Sequence, residues 1–199
     1  MQPSEAPRKE ISRAREAIAA MRASPSLVDF DEHWKQFLRR TERAWYKMHA
    51  HYRRSPKWGN WIAPFEKERR QDPLLSYLCN ARGAEEHTTA EVTGREPGGI
   101  GIGLADGVGV QPDGSIHVEH LSISTTPGRI EVQSTQPLKI TFQPERVRME
   151  PITNRGHPYA VPGAHLGGQF DSNNLPSVAE LALNYYESVL SQAEAFFVK

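Results

Sequence analysis

The chain has a single cysteine, Cys79, among its 199 residues. One thiol cannot close an intramolecular disulfide and cannot alone furnish a thiolate metal site, which agrees with a reducing compartment. As a residue on a helix, Cys79 reads as a small buried apolar side chain rather than a catalytic thiol. Long hydrophobic runs are missing too. No apolar stretch approaches the roughly 20 residues that a membrane-spanning helix requires. Residues Met1 to Glu10 are polar and charged, without the apolar centre of a signal peptide. The expectation is a cytoplasmic chain with no membrane partner.

Net charge is also lacking, because 24 Lys and Arg balance 24 Asp and Glu. The balance hides a segregation along the chain. Residues 1–70 carry 16 basic and 9 acidic side chains, and residues 71–199 carry 8 and 15. A basic half can attract phosphate, as nucleic-acid binders do. Equally, the two halves can pair with each other within the fold or across a dimer. The apolar fraction of 38% is modest, yet Trp, Phe and Tyr fall within periodic segments, which separates this chain from disordered ones. Its length suits one domain.

Helical periodicity dominates the first half. Ile11, Ala14, Ile18 and Met21 share a face of a helix from about Ser4 to Ala23. Ser24, Pro25 and Ser26 break it, and Ser26 or Asp29 can cap the next. In that second helix Phe30, Trp34, Phe37, Leu38, Thr41, Trp45, Met48 and Tyr52 form a broad stripe, with Lys35, Arg39, Arg40, Arg43 and Lys47 on the other sides. Its aromatics read as core rather than as a base-stacking platform. Pro56, Gly59, Asn60 and Pro64 punctuate the next stretch, a short helix or ordered loop anchored by Trp58, Trp61, Ile62 and Phe65. Asp72–Pro73 is a start signal for a helix continuing to about Glu91.

From Gly98 the texture changes to glycine and β-branched residues. Asp113–Gly114 and Pro127–Gly128 separate short alternating runs and predict a meander of antiparallel hairpins. Residues 151–174, rich in Gly, Pro, His and Asn, predict an irregular connection. Leu175–Pro176–Ser177 opens a last helix with Val178, Leu181, Ala182, Tyr185, Val189, Ala193 and Phe196 at helical spacing. The expected fold is α+β and a single domain: a four-helix bundle from residues 1–93 and 175–199, with a β-rich insertion over 98–150 before the C-terminal helix.

Motifs for chemistry are few. Gly98–Gly99–Ile100–Gly101–Ile102–Gly103 fits neither GxGxxG nor the P-loop spacing, and strand-edge glycines explain it better. His117 and His120 are separated by three residues, so on a strand they point to opposite faces and make no chelate. A cluster of His117, His120, His157 and His165 assembled by the fold is the alternative, while His165, before Leu166–Gly167–Gly168, reads as a loop hydrogen-bonding residue. No GxSxG elbow is present. No metal and no cofactor are assigned.

The remaining constellation is Arg82-Gly83-Ala84-Glu85-Glu86-His87. Five positions separate Arg82 and His87 by about 140° around a helix, and a long arginine can still converge with a histidine about one turn on, above all where two such helices face each other across a dimer axis. An imidazole can exchange a proton with a 2′-hydroxyl or a leaving oxygen, and a guanidinium can hold a charged phosphorane. Glu86 can tune the histidine or act as a second base. The plain alternative is an Arg82 salt bridge to Glu85 or Glu86, with His87 at the helix end.

Arg82-x4-His87 resembles the R-x4-6-H signature of the HEPN superfamily, many of whose members are metal-independent endoribonucleases and toxins. The segment Leu74 to His87 is similar to the "ARNxxEH" stretch of a group of uncharacterised bacterial proteins, as is Asn154-Arg155-Gly156-His157-Pro158-Tyr159 with His165-Leu166-Gly167. The HEPN resemblance implies a helical bundle, a homodimer joining two motifs in one cleft, RNA as substrate, and Arg82 and His87 as the catalytic pair. Gly83, where the family often has a polar residue, and the β insertion are departures. Several members of the superfamily are silent binding or scaffold domains, so a non-enzymatic interaction module is the alternative function.

Overall fold

A computed structural model describes residues 2–87, 91–104, 120–123, 130–133 and 138–198; for 86, 87, 102, 104, 120–123, 130–133 and 138 it describes the backbone alone. Among these residues the chain is α+β, with five helices and short antiparallel strand pairs. It divides into two units, residues 1–95 with 147–199, and residues 96–146.

The first unit is helical in character. α1 (Glu5–Ala23) buries Ile11, Ala14, Ile18 and Met21, as the spacing predicts, and Glu10 with them. α2 (Leu27–Tyr52) is capped by Ser26, whose Oγ accepts the Asp29 amide at 3.1 Å. Its stripe from Trp34 to Tyr52 is sealed, with Trp34, Phe37 and Tyr52 fully buried, and each such side chain contributes on the order of 1.5–3 kcal/mol by leaving water. α3 (Trp58–Gln71) is a full helix of 14 residues with Pro64 inside it. The four-helix expectation therefore gives way to five helices. Trp58 and Ile62 are buried, Trp61 and Phe65 pack against the same core, and this anchoring outweighs the missing proline donor.

α4 (Pro73–His87) starts where Asp72 predicts. Asp72 Oδ1 accepts the Leu75 amide at 2.9 Å. Glu91 is not helical, and residues 88–90, over which the helix is expected to run on, lie outside the described residues. α5 (Leu175–Phe197) is capped by Asn174, with proline in its first turn. It packs on α1 and α2. α1 and α5 run antiparallel, and Arg8, Arg15 and Arg22 pair with Glu194, Glu187 and Glu180, a seven-residue spacing on both helices.

The strands correct the meander expectation. β1 (Thr93–Glu96) pairs with β6 (Arg146–Met149), β2 (Gly99–Leu104) with β5 (Leu138–Gln143), and β3 (His120–Ile123) with β4 (Ile130–Gln133). The pairs are nested rather than consecutive. In the β2–β5 register Ile100 faces Phe142, Ile102 faces Ile140 and Leu104 faces Leu138, while Gly99, Gly101 and Gly103 face Gln143, Thr141 and Lys139. Period-two alternation thus puts Ile100, Ile140 and Phe142 on one side and the glycines on the other. The turn at Pro127–Gly128, between β3 and β4, and the turn at Asp113–Gly114 lie outside the described residues.

The connection expected to be irregular holds two tight hairpins, β7 (Ile152–Asn154) with β8 (His157–Tyr159) and β9 (Ala164–His165) with β10 (Gly168–Gln169). Each has a two-residue loop with both φ values positive, Arg155 and Gly156 at 50° and 78°, Leu166 and Gly167 at 47° and 83°. That is the type I′ requirement; glycine meets it freely, while arginine and leucine do so at a cost.

Candidate functional site

α3, α4 and the β7–β8 hairpin surround a cleft. Its lining combines Trp45 of α2, Glu66, Arg69 and Arg70 of α3, Ser76, Cys79 and Asn80 of α4, and Tyr159 of β8. The volume is about 420 Å³, within the range of roughly 300–1,000 Å³ found for ligand sites.

The floor is a closed polar cluster. Arg69, its side chain only 11% exposed, pairs with the buried Glu42 carboxylate. Its Nε donates to the Tyr186 hydroxyl at 3.2 Å, an Nη reaches Cys79 Sγ at 3.3 Å, and its guanidinium lies 4.8 Å from the centre of the Trp45 ring. Burial works against the arginine charge, yet Tyr186 and Glu42 leave its pKa raised. Burial pushes Tyr186 up to about 12 and raises the Cys79 thiol as well. A raised thiol pKa favours the protonated form, a poor nucleophile, but the expectation of a buried apolar side chain is corrected: Cys79 is half-buried and sits against Arg69. Arg69 is fully engaged within the fold.

The rim is different. Arg70 is exposed and has no ion-pair partner among the described residues; Arg43 of α2 shares both properties but does not line the cleft. Tyr46, one turn beyond Arg43 on α2, is 58% exposed; Glu42, then burial, raise the pKa of its hydroxyl. Tyr159 is half-buried and also lines a neighbouring cavity of about 490 Å³, together with Arg70, Ser76 and residues 160–164.

Arg82, one turn beyond Cys79, is half-buried, and its charge bears on that thiol. Glu85 pairs with Arg39 of α2 at 3.2 Å. The α-helical backbone of α4 continues through Glu86 and His87, whose side chains lie outside the described residues. Gly83 has a local reason: a Cβ there would come within 2.7 Å of Asn154 Nδ2, which donates to Asn80 Oδ1 at 3.0 Å. The missing side chain lets β7 approach α4.

Of the histidines, His165 hydrogen-bonds as expected, but from the end of strand β9 rather than from a loop. Its Nδ1 is 3.0 Å from Asp72 Oδ1, and Asp72 Oδ2 accepts the Leu166 amide at 2.7 Å. Burial opposes the Asp72 charge, but the Leu166 amide, His165 and the Leu75 amide hold its pKa below the ordinary value. One carboxylate therefore caps α4 and pins the β9–β10 turn. His157 is exposed at the β7–β8 turn. His117 and the His120 side chain lie outside the described residues. Among the described residues no cluster of His, Cys, Asp and Glu is arranged to hold a metal ion, and no helix is long and apolar enough to cross a membrane.

Arg69, Arg70 and Tyr159 carried no sequence signal of a site, because they come together only through the fold. No family model, curated protein or solved structure matches this chain.

Proposed function

We propose that this chain acts on RNA as a metal-independent endoribonuclease of HEPN type. The observation that carries the reading is that Arg82 and His87 belong to one continuous helix, α4, which also forms the wall of a cleft lined by Arg69 and the exposed Arg70. In this mechanism His87 takes the proton of a 2′-hydroxyl, or gives one to the departing 5′-oxygen, as that hydroxyl attacks phosphorus. Arg82 stabilises the charge on the phosphorane oxygens, and Glu86 tunes His87 or serves as a second base. The P–O5′ bond breaks, leaving a cyclic 2′,3′-phosphate and a 5′-hydroxyl. A homodimer that brings two α4 helices together would place two such pairs in one cleft. The action belongs with defence or toxin-like proteins.

A panel of single-stranded and structured RNAs, incubated with chelator, tests it. His87→Ala should lower cleavage by about 10²–10⁴-fold. Arg82→Lys should also impair turnover, because an ammonium keeps the charge but loses the planar fork. Equal cleavage by all three proteins removes these residues from the mechanism, and absence of cleavage across the panel rejects the nuclease reading.

A second reading has its own observation. Ile100, Ile140 and Phe142 share one face of the β2–β5 ribbon, and Phe142 is 70% exposed. Such a face favours a non-enzymatic interaction module.

A further inference from the structure

We propose that Arg155, at the tip of the β7–β8 hairpin, is a phosphate-binding residue of the α4 site, held beside the last turn of that helix to contact the RNA backbone. The proposal rests on the RNA-directed reading above and deepens it, because it adds to Arg82 a second cation from outside the motif.

The hairpin is docked on α4 and advances along it. Near its base the Tyr77 hydroxyl donates to the Glu150 carbonyl at 2.7 Å, and Tyr159 lines a cavity with Ser76 and Asn80. Near its tip Asn154 Nδ2 donates to Asn80 Oδ1 at 3.0 Å and comes within 2.7 Å of where a Cβ on Gly83 would stand. From Glu150 to Asn154 the chain therefore moves from Tyr77 toward Gly83, in the direction of the helix, and Arg155 and Gly156 come next. Position 87 is four residues beyond Gly83, about 6 Å of helical rise and about 40° of rotation, so it continues the face on which Asn154 sits. An arginine side chain that starts from the tip can cover that distance. Gly83, a departure from the HEPN pattern, becomes the residue that admits the hairpin.

Arg155 also stands where arginine is disfavoured. Its φ of 50° belongs to the first central position of a type I′ turn, which asparagine or glycine fills with less strain. Leu166 has the same conformation in the neighbouring hairpin, but there its own amide donates to Asp72 at 2.7 Å and fixes the turn. The exposed Arg155 side chain has no hydrogen bond or ion pair among the described residues. Nothing among them offsets the strain, and strain of this kind collects at ligand sites. The whole guanidinium fork is left for an anion with two oxygens to offer, which a phosphodiester has.

The test uses the full chain carrying Arg155→Asn, which installs the Asn–Gly pair that type I′ turns prefer and removes the cation. Its thermal midpoint should rise by about 2–4 °C as the strain is relieved. Its kcat/KM on a single-stranded RNA should fall by about 10- to 150-fold, as loss of one charge-assisted hydrogen bond does. A variant that is more stable and less active separates a ligand contact from a structural one. In the His87→Ala background, fluorescence anisotropy with the same RNA should show weaker binding and a slope of log affinity against log salt reduced by about 0.7. Arg155→Lys keeps the charge and should keep that slope, while losing part of the turnover with the planar fork. An unchanged or lower midpoint in Arg155→Asn would give the arginine a structural role in the turn and overturn the proposal. Binding and cleavage at the parent's level by that variant would overturn it too, and Arg82- and His87-dependent cleavage would then leave the nuclease standing without Arg155. Arg155-dependent binding with no cleavage by the parent keeps this site and removes the nuclease. No binding of RNA by the parent overturns both.

Discussion

The α1–α5 seam and the rim of the α3–α4 cleft both present arginine to solvent, and they use it in opposite ways. Along the seam Arg8, Arg15 and Arg22 each meet a glutamate one heptad from the next. At the rim Arg70 meets none among the described residues. Part of the basic first half is therefore neutralised by the acidic second half within the fold. The charge of that half left uncompensated among the described residues is spread over Lys9, Arg43, Arg53, Arg54, Lys57, Lys67 and Arg70, of which only Arg70 lines the cleft. Chain position alone does not distinguish a structural cation from one available to a ligand; the presence of a matched carboxylate does.

The adjacent residues Arg69 and Arg70 sharpen this contrast most. Arg69→Ala leaves the Glu42 carboxylate buried without its cation and should cost about 3–5 kcal/mol, measured by urea denaturation. Arg70→Ala, at an exposed position, should stay within about 0.5 kcal/mol. Replacing Arg69 and Glu42 together by Met and Leu should recover much of the loss, since a buried pair gives little net stability over apolar packing. Equal effects at 69 and 70 would erase the distinction between floor and rim.

Glu10 extends the structural side of the comparison. Its buried carboxylate is 2.6 Å from Lys47 Nζ and 3.1 Å from an Arg40 Nη. Burial opposes the charge, but the hydrogen bonds from Lys47 and Arg40 prevail and its pKa is lowered. Glu10→Gln should cost about 1–3 kcal/mol, less than Arg69→Ala because Arg40 and Lys47 retain access to water. A cost below that of an ordinary surface change would mean that α1 and α2 are joined by their apolar stripes alone.

How far the sequence foretold these regions follows from how local each signal is. α2, α4 and α5 were legible because an apolar period and a capping residue sit within the same twenty or so residues. α3 was only half legible, since Gly59 and Pro64 signal a break that its aromatic anchors override. The nested strand order was not legible: turn dipeptides report on neighbours, whereas the match of Ile100 to Phe142 spans 42 residues. The β7–β8 and β9–β10 hairpins were hidden because arginine and leucine are unusual at φ > 0, although each is followed by the glycine that the turn requires. Arg82, Glu86 and His87 were named from a motif. The cleft beside them was not, because its lining is drawn from α2, α3, α4 and β8. The heptad spacing of Glu180, Glu187 and Glu194 was present in the sequence, but its meaning depends on the antiparallel partner.

Acid should erode the structural side first. His49 lies 4.9 Å from Trp45 and 5.1 Å from Trp58 between ring centres, and its burial lowers its pKa from the ordinary 6.5. The unfolded chain therefore takes up a proton at a pH where the folded one does not. The stability from this group is present above pH 6.5 and is lost as pH falls through the lower folded value. Asp72 and Glu10, also lowered, add losses below the ordinary carboxylate range. Thermal midpoints recorded between pH 7.5 and 5 should fall, and His49→Phe should flatten that decline. An unchanged slope in this variant would assign the acid sensitivity to other groups.

The smallest expected effect tests the seam itself. Arg15 and Glu187 meet at 2.6 Å on a surface where both remain partly exposed, and such pairs contribute about 0.2–1 kcal/mol. Arg15→Glu should lower stability by an amount of that order, and adding Glu187→Arg should restore it, with both changes shrinking as salt is raised. A swap that restores stability at low salt assigns the ladder to register between α1 and α5. If the single reversal changes nothing at any salt, the seam is held by its buried apolar residues, and its arginines are no more structural than the one at the cleft rim.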